Sequence, residues 1–368
     1  MIVSFGTYDA VKHPRVGIVI DGLRERGEDV RELNHPLGFS TAERVRMLKQ
    51  PWRLPGLAWR MLICWIALRR DARALLRSGA VPEAVLVGYM GHFDVLLARR
   101  LFRRSTIVLD HLIFAGDTAQ DRGARGLRVR LLRGLDSRAL SAADVVLVDT
   151  VEHLEMLPDR AKGVHVPVGA RAEWFDARRA AAPEQDGPVS LIFFGLFTPL
   201  QGAPTIARAL RRAHEDGASF RATIVGTGQD YDEARASAGD VPGITWLDWV
   251  EAHELPALVA RHDVCMGVFG TSEKALRVVP NKVYEGAAAG CAIVTGDTAP
   301  QRAAFGDAAL YAKPGDADAL SRVIAELAAT PARVAAARAA AAEVAESFRA
   351  GDVVVPLLER LRASGVRR

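Results

Sequence analysis

Short apolar runs alternate with longer amphipathic stretches along most of the chain. In the first half, five runs have the length and composition of buried strands, at residues 1–8, 84–88, 106–110, 142–150 and 163–169. A helix over Pro14–Arg26 is expected after the first run, ended by Gly27, with a short strand near Val30–Leu33. This order of strand, loop, helix and strand is typical of a Rossmann-like parallel sheet.

The second half repeats the pattern. Strands are predicted at 189–195, 222–226, 244–248, 264–269 and 292–296, with amphipathic stretches between them. We therefore predict an α/β protein with two Rossmann-like, doubly wound domains facing a central cleft. The expected boundaries are 1–170, a polar linker at 171–188, 189–345, and a final helical segment at 346–368 that crosses back to the first domain.

The stretch 264–296 holds the clearest candidate site. A strand from Val264 to Phe269 leads into a polar loop, Gly270–Val279, and Pro280 suits the first turn of the following helix because its missing N–H costs nothing there. A helix N-terminus presents free N–H groups and the positive end of the dipole. The pattern predicts that a nucleotide diphosphate binds at this point.

Length and composition fit this interpretation. A chain of 368 residues favours two domains, and 49% hydrophobic with 25% charged residues is typical of a globular protein. Residues 1–180 hold 29 Lys+Arg against 21 Asp+Glu, whereas residues 181–368 hold 19 against 23. A GC-rich genome would explain why Arg predominates over Lys, but not the difference between halves, which favours an N-terminal half that faces anionic lipid or an anionic acceptor.

Residues 52–77 combine an apolar, aromatic run with flanking Arg residues. The run is too short to span a bilayer. It fits an interfacial helix, with Trp52, Trp59 and Trp65 at headgroup level, and it equally fits a helix buried against the N-terminal sheet. Six Arg residues on a predicted helix over 117–139 have no interleaved aromatics, so a solvated face is favoured and nucleic acid is not expected.

Cysteine usage and the N-terminus bear on the compartment. Cys64, Cys265 and Cys291 show no disulfide or metal spacing, and Cys265 and Cys291 lie in or beside apolar strands and are expected in the core. This suggests a reducing compartment. The first residues lack the pattern of a signal peptide, so a cytoplasmic location is expected, with the inner face of the membrane as a further option. No cluster of His, Cys and Asp has metal-ligand spacing, and no metal is predicted.

Glycine-rich or polar loops follow several strands of the second half. They are Gly195–Gly202, Gly226-Thr227-Gly228, Asp248-Trp249-Val250 and Gly270–Asn281. Ligands of open parallel sheets bind at the carboxyl ends of the strands. Each loop is a weak signal by itself, but together they indicate a nucleotide site.

The amino-acid sequences of these segments resemble those of a known family. FFGLFTPLQGAPTIARAL, IVGTGQ, ITWLDWVEAHELPALVARHDVCMGVFG and RVVPNKVYEGAAAGCAIVTGD occur in the order found in the nucleotide-sugar-binding domain of glycosyltransferase family 4, over about residues 189–330. The resemblance implies the GT-B fold and transfer of a sugar, with retention, from a nucleoside-diphosphate sugar to an acceptor hydroxyl. It implies no cofactor or metal beyond that donor.

The resemblance also implies residue roles. Glu285 matches the second Glu of the family's Glu-x7-Glu motif, which binds the ribose hydroxyls, while Arg277 occupies the first Glu position. Gln201 stands where the family often has Lys, so Lys282 and Arg277 are expected at the diphosphate, with Asn281 as helix cap. Trp249-Val250 would lie beside the nucleobase. The donor-binding prediction comprises Gly195, Phe197, Gln201, Gly202, Gly226, Gly228, Trp249, Val250, Arg277, Asn281, Lys282, Val283 and Glu285.

The N-terminal domain should supply the acceptor site. His111 and Asp110, directly after a predicted strand, are the candidate catalytic residues, with His92 and His13 as further candidates. Three alternatives stay open: a GT-B nucleotide-sugar epimerase, a non-catalytic nucleotide-sugar-binding module, favoured by Arg277 and Gln201, and a membrane-docking scaffold that uses residues 52–77.

Overall fold

The computed structural model describes residues 1–10, 13–38, 54–88, 91–180 and 187–365. Within these ranges the chain forms two six-stranded sheets, and every pair of neighbouring strands is parallel. The structure confirms the predicted fold class, since each sheet is flanked by helices in the manner of a Rossmann-like domain.

The first sheet contains β1 (Ile2–Gly6), β2 (Val30–Asn34), β3 (Ala84–Val87), β4 (Thr106–Asp110), β5 (Val145–Val148) and β6 (Gly163–His165). Its helices are α1 (Pro14–Glu25), α2 (Leu54–Arg77), α3 (Asp94–Leu101), α4 (Ala115–Asp121), α5 (Leu127–Ala142) and α6 (Val151–Glu155). The strand order is β2-β1-β3-β4-β5-β6.

The second sheet contains β7 (Val189–Phe194), β8 (Phe220–Val225), β9 (Ile244–Leu247), β10 (Val264–Met266), β11 (Ala292–Gly296) and β12 (Ala309–Ala312). Helix α7 (Ala172–Ala180) precedes it, and its helices are α8 (Ala203–Glu215), α9 (Tyr231–Ala238), α10 (Leu255–Ala260), α11 (Asn281–Ala288), α12 (Ala299–Phe305), α13 (Ala317–Ala329) and α14 (Pro331–Ala345). The order β12-β11-β10-β7-β8-β9 places the reversal of strand order between β7 and β10.

Two of the predicted segments differ in the structure. The helix expected over 117–139 is broken into α4 and α5, because Gly123 and Gly126 between them adopt positive φ angles of 87° and 67°. The first part of the expected linker is the helix α7, which buries Trp174 and Phe175. The rest of that linker, at 181–186, and the predicted helix at 41–50 lie outside the described residues.

Helix α2 packs on the N-terminal sheet with one face only. Cys64, Leu68 and Ala72 are buried at helical spacing, while Trp59 and Ile66 are 65% and 61% exposed on another face. Trp65 points inward, and its Nε1 donates a hydrogen bond to Asp94 Oδ1 at 2.8 Å. The structure confirms that one face of this segment packs in the core, whereas the interfacial role of the exposed face stays a prediction. Trp52 lies outside the described residues. No described helix is both long enough and apolar enough to cross a membrane.

The segment after α14 returns to the first domain. Helices α15 (Ala350–Val353) and α16 (Val355–Gly365) belong to this return. Gly351 N donates to Glu25 Oε2 at 2.8 Å, and Arg26 Nε donates to the Gly351 carbonyl at 2.7 Å. Phe348 packs edge-on against Tyr284 at a centroid distance of 4.7 Å. One apolar cluster consequently includes the return segment and one face of each sheet.

Candidate functional site

A cavity of about 660 Å³ lies between the two domains. Its walls include the residues that follow β1, β4, β5, β7 and β10, so it lies at the carboxyl ends of both sheets, where ligands of parallel sheets bind. The N-terminal wall includes His13, Arg15, Leu112, Asp149 and Arg171, and the C-terminal wall includes Gly195, Gln201, Lys274, Asn281, Lys282 and Glu285.

Lys282 and Glu285 lie on the first turns of α11 and are both buried, at 4% and 6% exposure. Burial lowers the pKa of Lys282 to about 7 and raises the pKa of Glu285 to about 8, since removal from water disfavours the charged form of each group. The attraction between the two groups opposes both shifts. The cavity thus contains an ammonium and a carboxyl group that are both shifted towards neutrality.

The contacts of Lys282 connect the helix start to the loop after β7. Its Nζ donates to Gln201 Oε1 and lies 3.7 Å from the ring centroid of Phe193. A side chain at Gly195 would place its Cβ 3.3 Å from this Nζ, so the glycine leaves room for the ammonium group. Pro280 is the N-cap residue and Asn281 begins the helix without capping it, which corrects the predicted cap role of Asn281.

Several predicted donor-binding residues do not line the cavity. Phe197 and Val283 are fully buried in the core, where Phe197 packs edge-on against Phe193 at 5.6 Å. Gly202, Gly226 and Gly228 instead allow close backbone packing, since a Cβ on Gly226 would come within 2.0 Å of the Gly195 carbonyl oxygen. Trp249 is 70% exposed with its Nε1 donating to Glu251, and Val250 packs partly buried against the core.

Arg277 lies at the domain interface rather than on the cavity wall. Its Nη1 is 3.3 Å from Asp117 Oδ2 of α4, its Nη2 is 2.9 Å from Glu273, and its carbonyl accepts a hydrogen bond from Thr150 Oγ1. In the same loop, Lys274 Nζ donates to Thr118 and Ser272 Oγ contacts Asp121. We call these contacts between residues 272–277 and α4 the interdomain clasp.

The two candidate catalytic residues lie behind the wall. Asp110 forms a buried ion pair with Arg15, at 3.2 Å from Nε to Oδ1, and burial raises its pKa against the effect of that guanidinium. His111 is 2% exposed and packs against Phe114, and burial together with His92 lowers its pKa to about 3. The neighbouring residue, Leu112, is the one that reaches the cavity.

The fold brings together a cluster that the sequence spacing did not reveal. One potential ligand atom from each of His92, His111 and Asp136 lies within 4.8 Å of the others. Asp136, however, already accepts hydrogen bonds from His92 and from the backbone N–H groups of Ala115 and Gly116. Its carboxylate therefore fixes the start of α4, which carries the clasp residues.

The charged cavity residues Arg15, Asp149, Arg171, Glu173 and Lys274 were not predicted from the sequence. Asp149 is 3% exposed, and its Oδ1 lies 2.6 Å from His153 Nδ1. Burial lowers the pKa of Lys274. The position of Asp149 in the sequence could have identified it as a site residue, because it follows the strand β5 as directly as His111 follows β4.

Comparisons with known proteins agree with this architecture. Residues 188–330 match the family model described as Glycosyl transferases group 1, nearly the stretch that carried the resemblance. Sucrose-phosphate synthase from Thermosynechococcus elongatus has a TM-score of 0.70 at 14% identity, covering 100% of this chain and 99% of that one. Trehalose-6-phosphate synthase OtsA has a TM-score of 0.67 at 13% identity, covering 98% of each chain. No curated protein matches the chain.

A third structure was solved with a nucleotide. Anabaena HepE in complex with UDP has a TM-score of 0.64 at 12% identity, with 99% of each chain covered. These neighbours share the two-domain GT-B fold, and the C-terminal domain matches a glycosyltransferase domain. The predicted fold and the predicted enzyme class, a glycosyltransferase, are thereby confirmed.

Proposed function

We propose that this enzyme transfers a glycosyl group from a nucleoside-diphosphate sugar to an acceptor hydroxyl, with retention, as a member of glycosyltransferase family 4. The observation that carries the donor site is the burial of Lys282 and Glu285 together at the start of α11, on the wall of a cavity large enough for a nucleotide. HepE, a structural neighbour, is solved with UDP and with UDP-glucose, which favours a uridine nucleotide.

In this proposal the diphosphate binds at the N-terminus of α11. A bound anion favours the charged form of Lys282, which burial disfavours in the free protein. The helix dipole adds to the attraction between Lys282 and the diphosphate. Glu285 accepts hydrogen bonds from the ribose hydroxyls, for which an ionised carboxylate has two acceptor oxygens. Lys282 and the helix N-terminus stabilise the charge of the leaving diphosphate, so the proposal needs no metal or cofactor besides the donor.

The acceptor would enter from the N-terminal wall. A lipid-linked saccharide, a cell-envelope saccharide and a small natural product all carry a suitable hydroxyl. The exposed face of α2, with Trp59 and Ile66, favours contact with a membrane surface, since Arg60, Arg69 and Arg70 lie exposed on the same helix. We accordingly propose an enzyme of the cytoplasm that docks at the inner face of the membrane.

Thermal unfolding with UDP, GDP, ADP and a panel of UDP-sugars tests the donor site. A ligand that binds only the folded state stabilises it by about 2.7 kcal/mol at a concentration one hundred times its Kd. We expect stabilisation by UDP, and transfer or slow hydrolysis with one UDP-sugar, unaffected by EDTA. Nucleotide binding without any turnover would favour the non-catalytic module, and an epimerised donor without acceptor would favour the epimerase.

Replacing Glu285 tests the ribose contact. Glu285→Gln and Glu285→Ala should each weaken UDP binding by about tenfold or more, because a charge-assisted hydrogen bond is lost. The Gln variant should keep the melting temperature, since burial already favours the neutral form of Glu285. Glu343→Gln, at an exposed site on α14, is the matched control. Unchanged UDP affinity in both Glu285 variants contradicts the assignment.

A further inference from the structure

The start of α1 forms part of the N-terminal wall of the interdomain cavity. His13, Pro14 and Arg15 all line it. His13 is the N-cap residue, but its side chain does not cap the first turn, and Pro14 has no N–H to offer. A helix of 12 residues nevertheless carries the positive end of its dipole here, together with first-turn N–H groups that have no partner within the helix.

Arg15 has one hydrogen-bonding group left over. The side chain is 1% exposed, its Nε pairs with Asp110 Oδ1 at 3.2 Å, and its Nη1 donates to the Pro167 carbonyl. Its Nη2 is buried and has no hydrogen-bond partner among the described residues. A buried, charged donor without an acceptor is costly to folding. Because Arg15 lies on the cavity wall, an oxygen atom of a bound ligand can supply the missing acceptor.

A second guanidinium group lies beside the same turn. Arg171 lines the cavity, and a Cβ built on Gly17 would be 3.8 Å from its Cζ, so the guanidinium packs over the first turns of α1. It is held at 3.4 Å from Asp21 Oδ2 and remains a third exposed. Asp149 and Glu173 also line the cavity, so the attraction for an anion comes from directed N–H donors rather than from a large positive charge.

We propose that Arg15, Arg171 and the start of α1 bind a phosphate group carried by the acceptor. The planar guanidinium fork matches the oxygen spacing of a phosphate, and a helix N-terminus adds backbone donors. This inference rests on the proposed function, because it leaves the C-terminal wall to the diphosphate of the donor. The acceptor is thereby assigned to phosphate-bearing molecules, with its hydroxyl directed into the cavity.

Titration of inorganic phosphate into protein saturated with UDP tests this site. We expect the second anion to raise the melting temperature further, at constant ionic strength kept with NaCl. Glycerol 3-phosphate should bind with at least the affinity of phosphate, whereas glycerol should not bind. Vesicles containing phosphatidic acid form a separate arm, and competition between them and glycerol 3-phosphate would identify a lipid headgroup as the source of the phosphate.

Two variants and a control separate recognition from folding. Arg15→Lys keeps a charge for Asp110 but removes Nη2, and Arg171→Ala removes a partly exposed group. Each should weaken phosphate binding by about tenfold and leave the Kd for UDP within about twofold. Arg24→Ala is the matched control, since this Arg lies on α1 and pairs with Glu32 away from the cavity wall.

The outcomes distinguish the two proposals. If UDP binds but phosphate adds no shift, or if phosphate displaces UDP, the phosphate site is wrong and the donor site stands. Unchanged phosphate affinity in a folded Arg15→Lys variant also overturns it. If UDP does not bind at all, the proposed function itself fails.

Discussion

The charge of Lys282 depends on what occupies the cavity. Its pKa in the free protein is about 7, against an ordinary value of 10.5, because the ammonium is buried. A bound diphosphate favours the charged form and raises that pKa, so Lys282 itself takes up a proton when the donor binds above pH 7. Glu285 must lose a proton to accept hydrogen bonds as a carboxylate, and its pKa is about 8. The affinity should therefore be greatest between about pH 7 and pH 8, and should fall by at most tenfold per pH unit on either side of this range.

Calorimetry with UDP-glucose checks this prediction, because its diphosphate does not titrate near neutrality. The observed heat should depend on the ionisation enthalpy of the buffer at about pH 8.5, where Glu285 is already mostly ionised, and this dependence reports proton uptake by Lys282. Lys282→Met should bind more weakly and lose the fall in affinity at alkaline pH, while Lys282→Arg, charged throughout, should bind without that fall. A Lys282→Met variant with the pH profile of the wild type would contradict the assignment.

The residues of the site were predictable to different extents. The order of strands, loops and helices within the second domain, together with the family resemblance, was sufficient to place Gln201, Lys282 and Glu285 at the cavity. Arg15 and Lys274 reach the same cavity from different domains, and only the closed arrangement of the two sheets brings them together. The sequence placed Asp110 and His111 correctly at the end of a strand. It did not show which of the neighbouring side chains reaches the cavity, and in the structure this is Leu112.

At the scale of elements, the interdomain clasp assigns Arg277 a role that differs from the predicted one. If the clasp is correct, Arg277→Ala should leave the Kd for UDP unchanged but lower kcat/KM severalfold, because α4 and the loop at 272–277 no longer hold the domains together. Asp117→Ala should behave alike. If Arg277 instead binds diphosphate, Arg277→Ala should weaken UDP binding and Asp117→Ala should strengthen it.

Exchange of the two charges gives a second measurement of the clasp. Arg277→Asp combined with Asp117→Arg should recover part of the activity that either change alone removes. Small-angle scattering with UDP should show a larger radius of gyration for the single variants. Arg302→Ala, which breaks an exposed ion pair with Asp297 inside the second domain, is the control and should change neither quantity.

Helix α2 has a separate face for each of its two predicted roles, and contact with a membrane is still a prediction. Its buried face completes the core, and its exposed face carries Trp59, Leu62, Ile63 and Ile66. We expect binding to vesicles rich in anionic lipid that weakens with salt. Trp59→Ala with Ile66→Ser should reduce partitioning by about tenfold or more, since each apolar side chain contributes roughly 1.5–3 kcal/mol when buried.

The control for α2 is Trp249→Ala, which removes another exposed indole from the second domain. It should leave vesicle binding unchanged. Equal partitioning of the wild type and the α2 variant would mean that the exposed face has another use. Trp65 is unsuitable for this test, because its hydrogen bond to Asp94 gives it a structural role.

At the scale of the whole molecule, the return segment depends on one close approach. A Cβ on Gly22 would lie 2.0 Å from the carbonyl oxygen of Ala350, so Gly22→Ala must push the segment away from α1. We expect a loss of about 1–3 kcal/mol of unfolding free energy, measured by thermal and urea denaturation. Gly134→Ala, in α5 with open space around it, should instead stabilise by about 0.5–1 kcal/mol. An unchanged free energy of unfolding in Gly22→Ala would show that the return segment can move without cost.

The overall plan of two Rossmann-like halves was predictable because buried parallel strands are nearly continuous apolar runs. β4 and β11 begin and end where the pattern placed them. The break between α4 and α5 was not predicted, because Gly123 and Gly126 act through backbone conformation and leave the apolar pattern unchanged.

The return segment also determines when the first domain can be completed during synthesis. The sheet β1–β6 leaves the ribosome early, but the face of α1 that contains Gly22 is covered by residues 350–353, which emerge only after the entire second domain. Until then the first domain carries an uncovered apolar surface, the kind of surface that chaperones bind. The half of the enzyme that is translated first is therefore the half whose burial is finished later.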